Sequence, residues 1–250
     1  MGDILGWRMK FGVVTPSTNT MVQPEYDDMR PDGVTNHVSR MHIPDDPVKS
    51  DDDFNELIRR IDVALEDAVE RVMTCRPDHL ILGISAESIW GGGLAPSRRI
   101  AERIRRRFGD IAVTQAADAI PAALARHGVG KRIGILTPYF PVAEKHLREF
   151  VDAVGYDAVR MLHLSCEGPV EIGHTPLDRL RAAVRELNGD DLEAIVQFGA
   201  NLPMGRLAAE LEQELAKPVI CVNVATYWHA LRSNGIEDQM QGYGRLMAQY

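Results

Sequence analysis

The sequence predicts an α/β fold made of two pseudo-symmetric lobes, each with a mainly parallel sheet flanked by helices. Two observations lead to it. Short apolar runs bounded by Gly and Pro alternate with longer amphipathic stretches, and three segments of the first half return in the second. Short runs that are apolar throughout are typical of strands buried on both faces. Strand–helix alternation indicates parallel sheets, and 250 residues suffice for two lobes with sizeable cores.

Seven strands are predicted at apolar runs that are each too short for a helix. They lie at residues 11–14, 80–82, 111–113, 133–136, 159–164, 194–196 and 219–222. Five helices are predicted between them, where apolar residues recur at helical spacing. These cover residues 54–73, 95–107, 142–154, 177–187 and 204–215. The first follows three aspartates, which suit the start of a helix.

An internal repeat divides the chain. Residues 12–16 (GVVTP) resemble 134–138 (GILTP), residues 80–86 resemble 194–200, and residues 121–129 resemble 228–236, in the same order. We therefore predict two copies of one α/β unit. Residues 1–118 with 219–250 form the first lobe, and residues 119–218 form the second.

The repeat also predicts where a ligand binds. Ligands of open parallel sheets lie beyond the carboxyl ends of the strands, so two facing lobes enclose a cleft between equivalent loops. These loops are residues 16–20, 85–93, 138–141 and 199–203. Each joins a strand to a helix and offers free backbone N–H groups, which suit a carboxylate.

Composition and motifs exclude several classes of function. The chain has 28 Lys+Arg, 36 Asp+Glu and a net charge of −8, which argues against a nucleic-acid partner. The basic run at residues 98–107 falls on a predicted helix face. No strand is followed by a nucleotide-binding glycine motif, and the three cysteines have no metal-ligand spacing, so we expect neither a nucleotide nor a metal. No run is apolar enough for a signal peptide or a membrane span, so we expect a cytoplasmic protein without a membrane partner.

The cleft loops resemble those of a known enzyme group. Residues 14–20 (VTPSTNT) with Pro24-Glu25 are similar to the opening of maleate cis-trans isomerases, and Thr137-Pro138-Tyr139 and Ala200-Asn201-Leu202 are similar to loops of their second lobe. Residues 217–232 match their C-terminal strand and helix. Residues 242–246 (GYGRL) resemble the tail of arylmalonate decarboxylases.

Both families belong to the aspartate/glutamate racemase superfamily. Its members bind a small carboxylate between two α/β lobes and use no cofactor. The resemblance therefore implies a small-molecule carboxylate substrate, no cofactor and a homo-oligomer, either a dimer or a tetramer.

The cysteines on which the superfamily's chemistry rests are absent. The resemblance places one in each lobe, at positions that are Ser85 and Gly199 here, and the internal repeat pairs the same two positions independently. A branch associated with ectoine utilisation is similar in residues 85–87 (SAE) and 226–232 (TYWHALR), which implies an amino-acid-like substrate. Thiol-based racemisation and maleate isomerisation by thiol addition are excluded.

Ser85, Glu87 and Tyr139 are the predicted catalytic residues. A carboxylate at Glu87 acts as a general base, or as an acid if burial raises its pKa; the alternative is a surface or capping glutamate. Ser85 donates a hydrogen bond, acts as a nucleophile beside Glu87, or only caps the next helix. The resemblance assigns Tyr139 as a hydrogen-bond donor to a substrate carboxylate.

The predicted substrate-binding residues supply amide, hydroxyl or backbone donors. The resemblance gives the Asn19 amide the task of orienting a carboxylate, the alternative being an Asx-type turn. The others contribute donors that stabilise an enediolate: Ser17, Thr18, Ala86, Gly199, Ala200 and Asn201.

Three functions stay open at this point. The first is an isomerase or decarboxylase that acts alpha to the carboxylate of a small dicarboxylate or amino-acid-like substrate without thiols. The second is a hydrolase that uses Ser85 or a water activated by Glu87. The third is a non-catalytic protein that binds small carboxylates.

Overall fold

Two four-stranded parallel sheets organise the chain. A computed structural model describes residues 3–250, apart from the side chain of Glu87. The first sheet has the strand order β2-β1-β3-β4 and consists of β1 (Met9–Pro16), β2 (Val34–Met41), β3 (His79–Leu82) and β4 (Val113–Thr114). The second has the order β6-β5-β7-β8 and consists of β5 (Arg132–Thr137), β6 (Asp157–His163), β7 (Ala194–Gln197) and β8 (Val219–Cys221). All the pairings are parallel.

Helices flank both sheets. In the first half these are α1 (Val22–Asp28), α2 (Asp51–Met73), α3 (Ala86–Ile89), α4 (Ala95–Phe108) and α5 (Ala116–Arg126). In the second half they are α6 (Ala143–Ala153), α7 (Pro169–Gly173), α8 (Leu177–Leu187), α9 (Gly205–Leu215), α10 (Val222–Ser233) and α11 (Gly244–Gln249). No helix in the described part of the chain combines the length and apolarity needed to cross a membrane.

The identical strand orders confirm the predicted α/β fold with two related parallel sheets. Strand β1 corresponds to β5 and β3 to β7, and these strands carry the first two repeated segments. The third repeated pair consists of α5 and α10, which pack against each other and join the two units. The cores are formed by strands that are buried over most of their length, such as β3 and β7.

The hydrogen bonds place one strand differently from the predicted division of the chain. Strand β8 was expected in the first lobe, but it pairs with β7 in the second sheet. The chain returns to the first unit only from Val222, where α10 packs on α1 and β3. The other predicted boundary, after residue 118, falls inside α5.

Two arginines of the basic run in α4 form ion pairs with acidic residues of α2. Arg103 Nε lies 2.9 Å from Glu66 Oε1, and Arg107 Nη1 lies 2.9 Å from Glu66 Oε2. Arg107 also pairs with Glu70. These arginines therefore bind acidic side chains of the neighbouring helix instead of forming an unpaired basic patch.

Candidate active site

A cavity lies between the two units, at the carboxyl ends of their strands. Its volume is about 70 Å³; on this scale one water needs about 10–15 Å³, so the space suits a small molecule. Its polar lining comes from both units: Thr18, Asn19, Ser85, Tyr139 and Asn201. No Lys, Arg or His lines it among the described residues, so a bound carboxylate relies on N–H and O–H donors.

A hydrogen-bonded centre joins the units at Ser85. Its hydroxyl oxygen lies 3.0 Å from the Tyr139 hydroxyl and accepts a hydrogen bond of 3.0 Å from the Gly199 N–H. Ser85 is fully buried, and Tyr139 is only 6% exposed. The two positions that the internal repeat pairs, Ser85 and Gly199, are thus in direct contact across the cleft.

Ser85 precedes α3 but does not cap it. It occupies the N-cap position without a side-chain hydrogen bond to the helix, because its oxygen is engaged by Tyr139 and the Gly199 N–H. The capping alternative is therefore not what the structure shows. Ser88 Oγ donates to the Ser85 carbonyl at 3.1 Å, which holds the backbone of this turn.

Burial keeps Tyr139 protonated. Burial raises the pKa of Tyr139 to about 12, although the hydrogen bond with Ser85 works in the opposite direction. At neutral pH the phenol is therefore a hydrogen-bond donor and not a base. Tyr139 packs against Phe54 of α2, with ring centroids 5.2 Å apart, which fixes the ring.

Gly199 has a conformation and a neighbourhood that require glycine. Its φ is +100°, and a Cβ there would lie 2.4 Å from two carbon atoms of the Pro138 ring. A side chain at this position would need both a strained backbone and movement of Pro138. Gly199, which the sequence resemblance predicts to stand at a cysteine position, is therefore closed to a thiol in this conformation.

Buried amide side chains fix the loop that follows β7. Gln197 Nε2 donates to the carbonyls of Phe198 at 2.6 Å and Gly199 at 2.8 Å, and Asn223 Nδ2 donates to the carbonyl of Ala200 at 2.9 Å. In a trans peptide the next N–H points away from the carbonyl. The N–H groups of Ala200 and Asn201 have no acceptor among the described residues, and both residues line the cavity.

Comparison with known proteins identifies the family. The family model described as arylmalonate decarboxylase matches residues 54–247, most of the chain. The chain belongs to the arylmalonate decarboxylase family.

Maleate isomerases are its relatives in sequence. The maleate isomerase of Alcaligenes faecalis is 25% identical over 252 residues, which cover 96% of each chain. The structure of the Nocardia farcinica maleate cis-trans isomerase bound to TRIS has a TM-score of 0.84 at 24% identity, covering 96% of this chain and 98% of that one. A crystal structure of arylmalonate decarboxylase has a TM-score of 0.72 at 18% identity, covering 95% and 98%. The chain is an enzyme of the isomerase or decarboxylase type.

One end of the Asn19 amide forms hydrogen bonds within the protein. Its Oδ1 accepts from the N–H groups of Met21 at 3.0 Å and Val22 at 2.9 Å. This is the Asx-type turn that the sequence analysis left as the alternative. Its Nδ2 has no acceptor among the described residues, and Asn19 lines the cavity, so this family member keeps one amide donor free there.

Two other predicted binding residues, Ser17 and Asn201, use their side chains in hydrogen bonds within the protein. The Ser17 hydroxyl donates to the Ile43 carbonyl at 3.1 Å and accepts from the Ile43 N–H at 2.9 Å. Ser17 is not among the residues that line the cavity, and neither is Ala86. Asn201 uses its side chain as a strut between the units: Oδ1 accepts from the Thr20 N–H, and Nδ2 donates to the Thr18 and Pro169 carbonyls.

The Glu87 side chain lies outside the described residues, so its predicted role stays a prediction. The cysteines are described, and none lines the cavity. Cys221 is buried in β8, and burial raises the pKa of its thiol. Cys166 borders a separate depression beside Glu171 and Thr175. The described residues contain no group of three or more His, Cys, Asp or Glu placed to hold a metal.

An apolar wall of the cavity was not predicted. It consists of Ile43, Phe54, Leu57 and Ile61 from the first unit and Ile172 from the second. Three of these lie on the buried side of α2 at helical spacing. Their periodicity predicted the helix, but sequence alone could not say that this side covers a ligand site rather than only a core.

Proposed function

We propose that this chain acts alpha to the carboxylate of a small substrate, by isomerisation or decarboxylation, with hydroxyl groups in place of cysteine thiols. The observation that carries the proposal is the Ser85–Tyr139 pair. Two buried hydroxyls, one from each unit, lie 3.0 Å apart at the cavity, where the superfamily would place a thiol. No thiol lines the cavity among the described residues.

The donors around the cavity fit an enediolate. The N–H groups of Ala200 and Asn201 and the Asn19 amide nitrogen have no acceptor among the described residues, and all three residues line the cavity, which supports a role as donors to a carboxylate. Charge builds up on the carboxylate oxygens when the neighbouring carbon loses CO₂, or loses a proton to the predicted base Glu87, and fixed donors stabilise that charge. The resulting carbanion then takes a proton from the Ser85 hydroxyl, which takes one from Tyr139 through their hydrogen bond. Solvent returns a proton to Tyr139 once the product has left.

The apolar wall supports a particular class of substrate. A second carboxylate placed against Leu57 and Ile61 would be desolvated without a partner, which is costly. A substrate whose carboxylates sit on one carbon, or which has a single carboxylate, can direct an apolar substituent to α2. We therefore favour a substituted malonate or a related acid over maleate.

The hydrolase alternative has weaker support. A serine nucleophile needs an adjacent base, and the hydrogen-bond partners described for Ser85 are a protonated phenol and a backbone N–H. The Glu87 carboxylate is the base that this alternative would require. A protein that only binds carboxylates would keep the donors but show no turnover.

Ligand binding and turnover test the proposal. Thermal shifts are measured with phenylmalonate, an alkylmalonate, maleate and aspartate, since a ligand stabilises by RT ln(1 + [L]/Kd). We expect the substituted malonates to stabilise most and to release CO₂ or exchange their alpha proton with deuterated solvent. A protein that binds them but shows neither reaction, or in which Ser85→Ala retains full turnover, would contradict the proposed chemistry.

A further inference from the structure

Glu25 reaches from the first unit to the loop that follows β7. It lies on α1, and its Oε1 accepts a hydrogen bond of 2.9 Å from the N–H of Gly205, the first residue of α9. Its Oε2 accepts one of 2.7 Å from Asn223 Nδ2 at the start of α10. The carboxylate therefore binds two elements that flank the cavity loop but does not itself line the cavity.

Asn223 connects Glu25 to the loop. The same Nδ2 that donates to Glu25 also donates to the Ala200 carbonyl at 2.9 Å. An amide nitrogen has two hydrogens at a fixed angle in one plane. When Glu25 holds one hydrogen, the other is directed at the Ala200 carbonyl, and that carbonyl fixes the opposite direction of the Asn201 N–H.

The surroundings of Glu25 are closely packed, and no cation of the described residues is in contact with it. A Cβ at Gly205 would lie 2.7 Å from Glu25 Oε1, so only glycine permits this approach. The titratable groups that face Glu25 are Tyr26 on its own helix, Cys221 of β8 and Tyr243 before α11. Arg206, the residue after Gly205, pairs with Asp28 at the surface.

A carboxylate in such a place is costly to bury. A neutral side chain of similar shape would fill the space at lower cost, yet it would not accept two N–H donors at once. A role in orienting the loop therefore explains the buried Glu25 carboxylate better than a contribution to the stability of the protein does.

We propose that Glu25 is a positioning residue, which acts through Asn223 and the Ala200 carbonyl to direct the N–H group of Asn201 into the cavity. The inference rests on the proposed function, in which that group helps to hold the substrate carboxylate. It adds a residue of the first unit that controls a donor of the second.

The test combines a spectrum of the free protein with kinetics. ¹⁵N-labelled full-length protein without ligand reports the amide signals of Ala200 and Asn201. In Glu25→Gln an NH₂ group replaces one acceptor, so we expect both signals to shift. With the malonate that the wild type turns over, we expect kcat to fall about tenfold or more, since small misplacements of reacting groups are expensive, while KM stays within about threefold.

A second variant reaches the loop without changing Glu25. Asn223→Ala removes the donor to Ala200 and leaves the Gly205 contact of Glu25 in place. We expect the same amide shifts and a similar loss of kcat, and the double variant should be little worse than either, because the two residues act in one chain.

Glu212→Gln is the matched control. Glu212 is a buried carboxylate of α9 that accepts a hydrogen bond from the Arg245 N–H at 2.8 Å, away from the cavity. It should lower stability without moving the Ala200 and Asn201 signals or kcat. If Glu25→Gln behaves like this control, Glu25 is merely structural and the inference is wrong. If the amide signals shift while kcat is unchanged, Glu25 does position the loop, and the donor role in the proposed function fails instead.

Discussion

Ser85 and Gly199, which the sequence aligns with the two cysteines of the superfamily, differ in what each can do at the site. Ser85 retains a hydrogen-bonding group in the first unit, whereas Gly199 contributes only its backbone, through the N–H that it donates to Ser85. The close approach of Pro138 to Gly199 depends on the missing side chain. The glycine therefore permits the close approach of Pro138, which directly precedes Tyr139, the hydrogen-bond partner of Ser85.

Gly199→Ala should destabilise the protein more than a glycine replacement that only strains the backbone. The added methyl would lie 2.4 Å from the Pro138 ring, at a φ of +100°. We expect a loss of about 2–4 kcal/mol, which combines backbone strain with overpacking. Urea unfolding measures the change in the free energy of unfolding.

Gly155→Ala is the control for this prediction. Gly155 has a φ of +90° and nothing within 4 Å of an added Cβ, so its replacement costs only the backbone strain, about 1 kcal/mol. Equal losses in the two variants would show that Pro138 moves aside freely and that the site tolerates a side chain.

Removing either hydroxyl of the Ser85–Tyr139 pair should abolish most of the activity. Ser85→Ala leaves the Gly199 N–H and the Tyr139 hydroxyl without their shared partner, and Tyr139→Phe removes only one oxygen. We expect each to lower kcat by about 10²–10³, as for the loss of one preorganised donor, and the double variant to add little. Circular dichroism checks that each variant is folded. The loss of activity is measured as kcat on the substrate that the ligand screen identifies. An additive loss would mean that the hydroxyls act separately.

At the level of elements, the sequence predicted the strands that are buried apolar runs and the helices with an apolar face. It missed a strand whose place depends on its pairing with a neighbour. The apolar runs located seven strands, and the period of 3.6 located α2, α4, α6, α8 and α9. Strand β2 was missed because it is an edge strand whose central residues, including Asn36 and His37, are partly exposed. It therefore lacks an apolar run, and its parallel pairing with β1 supplies the order that the pattern does not.

The candidate site was predictable only in part for a related reason. Ser85, Tyr139, Asn19 and Asn201 were found because they follow strands and match family loops. The roles of Gln197 and Asn223 depend on which carbonyl each amide reaches. Local patterns do not encode such contacts, since Asn223 meets Ala200 only when α10 packs behind the loop.

The α2 side of the cavity should select for the substrate's apolar group. Leu57→Ala removes part of the wall that we assign to the substituent of a malonate. We expect KM for an aryl- or alkylmalonate to rise about tenfold, because a lost apolar contact in a pocket is worth 1–3 kcal/mol, with a smaller change in kcat. Steady-state kinetics measure both.

Val63→Ala, on the same helix, separates this effect from a change in helix propensity. Val63 is 68% exposed and lies outside the cavity, so KM should not change. If Leu57→Ala leaves KM equally unaffected, the substituent does not lie against α2.

For the whole molecule, the site exists only when the two units are held together. Ser85 lies 54 residues from Tyr139 and 114 residues from Gly199 in the chain, and polar contacts bridge the cleft. The Asn201 side chain binds the Thr20 N–H at 2.8 Å, and the Val48 N–H donates to the Glu167 carbonyl. Each unit therefore supplies loops at the ends of its strands, and these bridges hold the loops together as one site.

Glu25 belongs to these bridges, and it should make stability depend on pH. Burial raises the pKa of Glu25 to about 7 from an ordinary value of 4.5, although the hydrogen bonds from Asn223 and Gly205 work in the opposite direction. Between these values the folded protein holds a proton that the unfolded chain has released. The stabilisation by protonated Glu25 is therefore fully present below pH 4.5 and is lost as the pH rises through about 7. The loss in the free energy of unfolding amounts to up to about 3 kcal/mol.

Glu25→Gln should therefore remove a fall in stability between pH 4.5 and 7, measured as the free energy of unfolding at each pH. The control is Glu56→Gln on the surface of α2. Hydrogen bonds from Arg59 and Arg60 lower the pKa of Glu56 to about 2, so its contribution is present above pH 4.5 and is lost only as the pH falls towards 2. This control should keep the wild-type slope between pH 4.5 and 7. An unchanged slope in Glu25→Gln would mean that the carboxylate is not desolvated in solution, and that the contact between α1 and α9 opens to water.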